Sequence, residues 1–388
     1  KQCFLLGSGK KNCNKFRMEE KIIVESPGRI NLIGEHVDYN GGSVLPAAID
    51  KKIIIEFRTV KGDECYIEST TLKKTFKLDL KKISKSKIQW ENYIIGVVYN
   101  LLVLKKLKIK AFKCKIDSYL PIGAGISSSS SLICGLISGL NHLNNLKLNH
   151  NEIIDIVSAV EHNFIGLMGG IMDQFTIVNG KKNKLILLNC QNRSFKYINS
   201  NFNPYKIVLI NTNVEHNLAD TSYNERVKEC KEALEVINKK YNKYRYLVDV
   251  KEEILYEFKN TLKEKVFNRA LFVIQENKRT LDSAENISKS KYKEFGQLMY
   301  KSHYGLKKQY EVSCEELDFL VDFTSSYDEI IGSRMMGGGF GGCTINLIEE
   351  NLVNDFIKSV SKAYLKKFSI KLNAFQINID DGVTVKKN

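Results

Sequence analysis

Strand-like and helix-like segments alternate along both halves of this chain, and this alternation constrains its fold more than any other feature. Short runs rich in β-branched side chains predict strands at residues 21–25, 53–57, 185–188, 206–210 and 343–348. Apolar periodicity over longer stretches predicts helices at residues 92–104, 132–140, 223–241 and 292–310. The 388 residues are enough for two domains, so we predict two α+β domains, at residues 1–200 and 201–388.

Composition excludes several classes of protein. Hydrophobic residues make up 43% and charged residues 27%, which is ordinary for globular chains and argues against disordered, collagenous or coiled-coil proteins. We expect no membrane partner, because no apolar run reaches the roughly 18 residues of a membrane span. The nine cysteines lack CxxC spacing and no signal peptide is visible, so we expect reduced thiols and a cytoplasmic location. Since the first residue is not Met, we also expect a truncated start.

The net charge of +15 is the one feature that favours a nucleic-acid partner. However, the lysines are scattered among many Asn and Ile residues, a pattern typical of AT-rich coding bias, and there is no Arg-rich tract. We therefore expect small-molecule partners and no nucleic acid, whose binding would depend strongly on salt. The oligomeric state stays open, with a monomer as the simplest case.

Residues 120–131 form a glycine- and serine-rich segment that runs into an apolar helical stretch. Gly123 and Gly125 allow a tight turn with exposed N–H groups, and the serine run lies where a helix would begin. A helix start of this kind binds anions such as phosphate, and a Ser hydroxyl there could bind Mg²⁺. The alternative is a serine-capped helix after a glycine turn. The segment is not a Walker A loop, because no Gly-Lys-Ser/Thr closes it, and the Gly-Ser-Gly-Lys run at residues 7–10 also fails that pattern.

A second glycine cluster, at residues 337–342, matches the GxGxxG pattern of dinucleotide-binding folds. Those folds need a strand before the glycines and a helix after them, whereas this cluster leads into a predicted strand. We therefore expect a close backbone approach to another loop or to a ligand.

Residues 26–42 contain Glu35, His36 and Asp38 within one turn. Carboxylates accept hydrogen bonds from sugar hydroxyls and a His can donate or accept, so the group could hold a polyhydroxylated ligand. A metal site is the competing interpretation, but no second His lies nearby at helical spacing. A solvated polar turn is the remaining alternative.

Together, and in this order, these segments resemble the GHMP small-molecule kinases, and among them the galactokinases. The resemblance extends from about residue 16 to about residue 381. It rests on residues 28–40, which are similar to the galactokinase signature, and on four further blocks at residues 121–129, 170–175, 310–318 and 337–342. The resemblance implies a two-domain α+β GHMP kinase-like architecture with the active site in the cleft between the domains.

The resemblance also implies roles for individual residues. Asp173 would act on the acceptor hydroxyl as a general base or as an electrostatic orienter, and Arg29 would offset charge on the transferring phosphoryl group. Ser129 and Glu161 would bind Mg²⁺, the cofactor that accompanies ATP. The 12-residue spacing between Glu161 and Asp173 fits a helix that carries the first and a turn that presents the second. The implied sugar contacts are Glu35, His36, Val37, Asp38, Asp173 and Tyr223. The implied ATP contacts are Gly123, Ala124, Gly125, Ile126, Ser127, Ser128, Ser129 and, with core packing as its alternative, Trp90.

The function implied is transfer of phosphate from ATP to the C1 hydroxyl of α-D-galactose, which gives galactose 1-phosphate and begins galactose catabolism. Four positions depart from the family pattern: Gly169, Ser130, Ile133 and Met336. They leave the proposed catalytic groups intact but bear on sugar selectivity. The alternatives are therefore an N-acetylgalactosamine kinase or another GHMP sugar kinase, and a non-catalytic sensor of sugar and ATP.

Overall fold

The computed structural model describes residues 21–121, 123–215 and 219–387. The Gly-Ser-Gly-Lys run at 7–10, the expected truncation, the start of the resemblance near residue 16 and Ile122 lie outside the described residues. Up to residue 199 the described chain folds into strands and helices in the order β1 (Lys21–Asn31), β2 (Ser43–Val44), β3 (Pro46–Thr59), β4 (Glu64–Ser69), β5 (Lys74–Asp79), α1 (Gln89–Tyr99), β6 (Phe112–Ser118), α2 (Ser128–Asn144), α3 (His150–Val160), α4 (Met172–Asn179), β7 (Lys184–Asn189) and β8 (Phe195–Asn199).

The remaining described elements alternate in the same way. They are β9 (Tyr205–Glu215), α5 (Ala219–Tyr241), α6 (Glu252–Tyr256), α7 (Glu264–Ser288), α8 (Tyr292–Gly305), α9 (Glu315–Thr324), β10 (Ile330–Met335), β11 (Gly341–Glu349), α10 (Val353–Phe368), β12 (Asn373–Ile377) and β13 (Thr384–Lys387).

The first sheet has the strand order β13-β1-β3-β6-β4-β5, and its neighbours pair antiparallel except for the parallel pair β4 and β6. The register between β1 and β3 shifts between Pro27 and Arg29. Such irregularities bend a strand and redirect its side chains, and here the shift precedes Arg29. Strand β13 returns to pair with β1, so the end of the chain lies in the first sheet. The domain boundary near residue 200 stays a prediction.

The second large sheet has the order β10-β11-β9-β12 and is covered on both faces. Side chains of β9 alternate between two hydrophobic cores, as the two-residue period of a strand requires. Ile207 and Leu209 belong to the main core, whereas Val208 and Ile210 pack in a smaller core with residues of α9 and α10. This sheet supports the second glycine cluster, which lies in the connection between β10 and β11 and at the start of β11.

The segments predicted from periodicity are confirmed as strands and helices. Strands β1, β3, β7, β9 and β11 and helices α2 and α5 contain the predicted segments, and α1 and α8 contain the first part of the other two predicted helices. The predicted ends at residues 104 and 310 belong to π-helical turns that continue α1 and α8. Among the described residues no helix is long and apolar enough to cross a membrane. The cysteines of the described chain are free thiols.

Helix α8 approaches β10 so closely that a side chain at Gly296 would overlap the backbone carbonyl of Ile331. We expect Gly296→Ala to lower the free energy of unfolding by about 1–3 kcal/mol, because strain outweighs the gain in helix propensity. Gln297→Ala, at an exposed position of the same helix, is the matched control. Thermal unfolding compares the two variants, and equal melting temperatures would contradict the close approach.

Candidate active site

Arg29 joins three parts of the chain. This buried guanidinium donates from Nε to Asp173 Oδ1 at 2.7 Å and from Nη2 to Asp173 Oδ2 at 3.1 Å. Its Nη1 donates to the Gly125 carbonyl at 2.6 Å, and its backbone N–H donates to the Ile126 carbonyl at 3.1 Å. Bidentate pairs of this kind fix geometry as well as charge. The Asp173 side chain is 27% exposed against 6% for Arg29, so the carboxylate, not the guanidinium, faces solvent.

The glycine–serine loop turns through left-handed backbone conformations at Gly123, Gly125 and Ser127, with φ of 68°, 66° and 60°. Helix α2 begins at Ser128, where a helix start was predicted, and no side chain caps it. Ser127, at the cap position, instead donates its hydroxyl to Asp173 Oδ2. The uncapped start therefore leaves backbone N–H groups available to an anion.

The second glycine cluster packs against this loop. A Cβ at Gly337 would lie 3.1 Å from the Gly125 carbonyl oxygen, and one at Gly342 would lie 3.6 Å from that of Gly123. The predicted close approach to another loop is confirmed. Any side chain at Gly337, where φ is +85°, would push the two loops apart.

Glu35 is bonded within the protein on both carboxylate oxygens. Its Oε1 accepts the Gly337 N–H at 3.1 Å, and its Oε2 accepts from Asn31 Nδ2 at 2.8 Å and from the guanidinium of the buried Arg334. Burial raises the pKa of Glu35 to about 7, and the nearby Arg334 charge opposes that rise. Glu35 thus links the signature loop to the glycine cluster across the cleft.

His36 is held as a neutral ring. Its Nε2 lies 3.2 Å from the Gly338 carbonyl, which can only accept, so this nitrogen carries the hydrogen. Its Nδ1 therefore accepts from the Tyr39 hydroxyl at 2.9 Å, and that hydroxyl accepts from Tyr310 at 2.7 Å. Burial lowers the pKa of His36 to about 3. Both ring nitrogens have protein partners, and the ring itself lies 5.2 Å from that of Tyr223, centroid to centroid.

Asp38 is buried near the backbone N–H groups of Tyr39 and Met172, which favour its ionised form and oppose the rise of its pKa. Burial, reinforced by the charge of Asp173, raises the pKa of Asp38 to about 6. A side chain at Gly170 would overlap the Asp38 carboxylate. Asp38 and the residues before α4 therefore fix each other's positions.

Glu161 follows α3 directly, as the first residue of a π-helical turn. Its Oε1 accepts from the Ser130 hydroxyl at 2.6 Å, and burial raises its pKa to about 7, with Asp173 adding to the rise. We expected a turn to present Asp173, and this detail is wrong. Helix α4 begins at Met172, so Asp173 lies in the first helical turn.

Most of the predicted catalytic, sugar and metal residues line one cavity. The walls include both halves of the chain: Arg29, Glu35, His36, Asp38, Ser129, Glu161, Asp173 and Tyr223, together with Ser130, Gly169, Gly170, Gln174 and Gly337–Phe340. Val37 does not line it, because its side chain is buried in the core.

A second, mostly apolar cavity lies on the other side of the glycine–serine loop. Gly123, Ser128 and Ser129 line it, together with Ile53, Leu72, Trp90, Tyr93, Ile116, Leu120 and Leu132. The Trp90 ring packs edge-on against Phe76, and its indole N–H is buried without a hydrogen-bond partner. Of the other predicted ATP contacts, Ala124 and Ile126 are buried in the core. Since Ser129 lines both cavities, the start of α2 separates an apolar compartment from a polar one.

Three family models match this chain. The galactokinase galactose-binding signature matches residues 13–59, the GHMP kinases N terminal domain matches residues 92–181, and the GHMP kinases C terminal model matches residues 283–366. A galactokinase of Thermosipho africanus is 37% identical over 93% of this chain and 99% of its own length. One of Clostridium tetani is 38% identical over 92% and 91%.

The chain belongs to the galactokinase family. The resemblance, the fold class and the prediction of an enzyme are thereby confirmed. The crystal structure of Lactococcus lactis galactokinase complexed with galactose superposes with a TM-score of 0.89 at 32% identity, covering 94% of this chain and 95% of that one. Mevalonate kinase of Methanococcus jannaschii shares the fold, with a TM-score of 0.67 at 24% identity, covering 92% and 98%.

Sequence reasoning missed several residues of this galactokinase-family site. Arg334 neutralises Glu35, Ser130 bonds Glu161, and Tyr39 with Tyr310 orients His36. Ser130 had been noted only as a departure from the family pattern. Arg334 carried a usable signal, because it lies among the apolar residues Ile330, Ile331, Met335 and Met336, and a buried Arg needs a partner.

The adjacent glycines of the cavity differ in the space around them. Gly170→Ala would overlap Asp38, whereas the nearest atom to a side chain at Gly169 is the Tyr223 hydroxyl oxygen, 3.9 Å away. We expect Gly170→Ala to lower kcat/KM for the sugar by about 10²-fold, because the Asp38 carboxylate must move. Gly169→Ala serves as the matched control and should change kcat/KM less than threefold. Equal activity of the two variants would contradict this geometry.

Proposed function

We propose that this protein phosphorylates the C1 hydroxyl of α-D-galactose with ATP and releases galactose 1-phosphate and ADP. The observation that carries the proposal is the Arg29–Asp173 pair at the boundary between the polar cavity and the uncapped start of α2. A sugar in the polar cavity and a nucleotide phosphate at the helix start would meet at this pair. The membership in the galactokinase family and the likeness to a galactose-bound relative support the choice of sugar.

Asp173 would accept the hydrogen bond of the C1 hydroxyl and aim its oxygen at the γ-phosphorus. The bidentate Arg29 contact holds the carboxylate in one orientation, and the Ser127 hydroxyl donates a further hydrogen bond to Oδ2. The C1 oxygen forms the new P–O bond as the bond to ADP breaks, and the hydroxyl proton passes to Asp173 or to solvent. Positioning and charge stabilisation supply most of the catalysis in reactions of this type.

ATP would span both cavities. Its phosphates would receive backbone N–H groups at the start of α2, and its adenine would enter the apolar cavity beside Trp90. The unpartnered indole N–H of Trp90 supports this arrangement, because a buried donor without an acceptor is costly. The remaining contacts come from the loop of residues 123–129.

We further propose that Ser129 and Glu161 hold Mg²⁺. Both are oxygen donors that line the polar cavity, as this hard cation requires. Burial and the charges of Asp173 and Asp38 raise the pKa of Glu161, so the carboxylates here lack a sufficient positive counter-charge. Among the described residues no cluster of three or more His, Cys, Asp or Glu side chains forms a metal cage, so phosphates and water would complete the shell. The ion would offset charge on the transferred phosphoryl group.

N-acetylgalactosamine is the second candidate substrate, and one observation favours it. The space beside Gly169 is open, with only the Tyr223 hydroxyl near the position of a Cβ atom. A bulkier substituent on the sugar could occupy this space. For either sugar, we propose that Asp38 accepts a hydrogen bond from a ring hydroxyl. In an epimer whose hydroxyl points elsewhere, this buried acceptor would stay unpaired, which disfavours binding of that epimer.

A panel of galactose, N-acetylgalactosamine and glucose with ATP tests the function by ADP release and by identification of the phosphorylated carbon.

Asp173→Asn removes the charge and the proton acceptor at constant size, so we expect kcat to fall by about 10²–10⁴-fold with sugar binding largely kept. Asp282→Asn, at an exposed position of α7, is the matched control. A folded Asp173→Asn enzyme with normal turnover would remove this residue from the reaction. Sugar and ATP binding without any turnover in the unaltered protein would favour the sensor.

Mg²⁺ titration tests the metal assignment. We expect Ser129→Ala and Glu161→Gln each to raise the Mg²⁺ concentration for half-maximal rate by about tenfold or more, because each loses one oxygen ligand. Glu253→Gln, at an exposed position of α6, should titrate like the unaltered protein. The assignment is wrong if both site variants need no more Mg²⁺ than this control.

A further inference from the structure

One wall of the cavity is formed by residues 166–170, here called the cavity loop, of which only Gly170 belongs to a sequence motif. Leu167, Gly169 and Gly170 of this loop face the polar cavity. The loop connects the π-helical turn after α3 to the start of α4. A contact that fixes the cavity loop therefore also fixes one wall of the cavity.

Asn224 holds the cavity loop from the other half of the chain. Its Oδ1 accepts the Met168 N–H at 3.1 Å, and its Nδ2 donates to the Gly166 carbonyl at 3.2 Å. One side-chain amide thus satisfies a donor and an acceptor two residues apart. Among side chains of this size only Asn does both from a single position.

The first half of the chain holds the same loop by separate contacts. His162 Nε2 donates to the Gly169 carbonyl at 3.0 Å, and Gln174 Nε2 donates to the Gly170 carbonyl at 3.1 Å. Those two bonds are local, since both residues adjoin the loop in sequence. The Asn224 hydrogen bonds instead join the loop backbone to α5, across 56 and 58 positions of the sequence.

Asn224 also follows Tyr223, the aromatic residue that faces the cavity next to Gly169. The two hydrogen bonds of the Asn224 side chain therefore fix the distance between the Tyr223 hydroxyl and the loop. That distance sets the width of the open space beside Gly169, and the loop in turn supports Asp38 through Gly170.

We infer that Asn224 is a positioning residue that locks the cavity loop to α5 and so sets the affinity and size selectivity for the sugar. This inference rests on the proposed sugar kinase function. Asn224 does not line the cavity and takes no part in phosphoryl transfer. Its loss should act on KM and on selectivity between sugars, while kcat stays nearly constant.

The kinetic test compares Asn224→Ala, Asn224→Asp and Glu225→Ala with the unaltered protein on galactose and on N-acetylgalactosamine. Asn224→Ala loses both hydrogen bonds, so we expect KM for the better sugar to rise about tenfold with kcat changed less than threefold. The ratio of kcat/KM between the two sugars should move towards one. Asn224→Asp keeps the acceptor for Met168 but lacks the donor to Gly166, so its KM should also rise. Glu225 is exposed on α5 and its variant should match the unaltered protein.

Hydrogen exchange provides a readout that does not require turnover. The amide of Met168 should exchange faster in Asn224→Ala than in Glu225→Ala, with no sugar or nucleotide present, because its acceptor is gone. Unchanged exchange at Met168, or a fall in kcat at constant KM, would overturn the inference. If the unaltered protein phosphorylates neither sugar, the proposed function fails, and the exchange result still decides whether Asn224 locks the loop.

Discussion

The bidentate contact between Arg29 and Asp173 is the interaction around which the site is organised. The two residues are 144 positions apart, and the same guanidinium also donates to the Gly125 carbonyl of the glycine–serine loop. The fork geometry requires the end of β1, the loop before α2 and the start of α4 to stay in fixed relative positions. A Lys at residue 29 could offer a charge but could not satisfy the carboxylate and the carbonyl in one plane. The register shift in β1 before Arg29 aims this side chain at the site.

Charge balance explains what kind of ligands the cavity suits. Four carboxylates, Glu35, Asp38, Glu161 and Asp173, face one space together with Arg29. Burial raises the pKa of the first three, which means that ionising them together is unfavourable without further positive charge or hydrogen-bond donors. Arg334 and two further hydrogen-bond donors, Asn31 and the Gly337 N–H, serve Glu35. Asp38, Glu161 and Asp173 also line this space and can accept further hydrogen bonds from a ligand rich in hydroxyl groups, such as a sugar.

The local parts of this site could be predicted from the sequence, because each is encoded by neighbouring residues. Glycines with positive φ, a serine run at a helix start and the Glu-His-x-Asp turn are such features, and the structure contains all of them. The long-range partners could not be predicted. The sequence predicted that the second glycine cluster approaches another loop or a ligand, but it did not identify the loop of Gly125 as the partner of Gly337. This pairing and the bond from Ser130 to Glu161 depend on how sheets and helices pack, which no local pattern specifies. The Asn224 contact with the cavity loop is of the same kind.

The positions of the arginines indicate buried long-range contacts in this lysine-rich chain. The sequence has nine arginines against 50 lysines, so coding bias alone would place Lys at most basic positions. Four of the nine are buried and bond carboxylates or backbone carbonyls in several directions: Arg29, Arg226, Arg269 and Arg334. A planar group with five donors can do this inside a protein, whereas a compact ammonium with a larger hydration cost cannot. In a lysine-biased sequence, each arginine is therefore a candidate for a buried contact between distant segments.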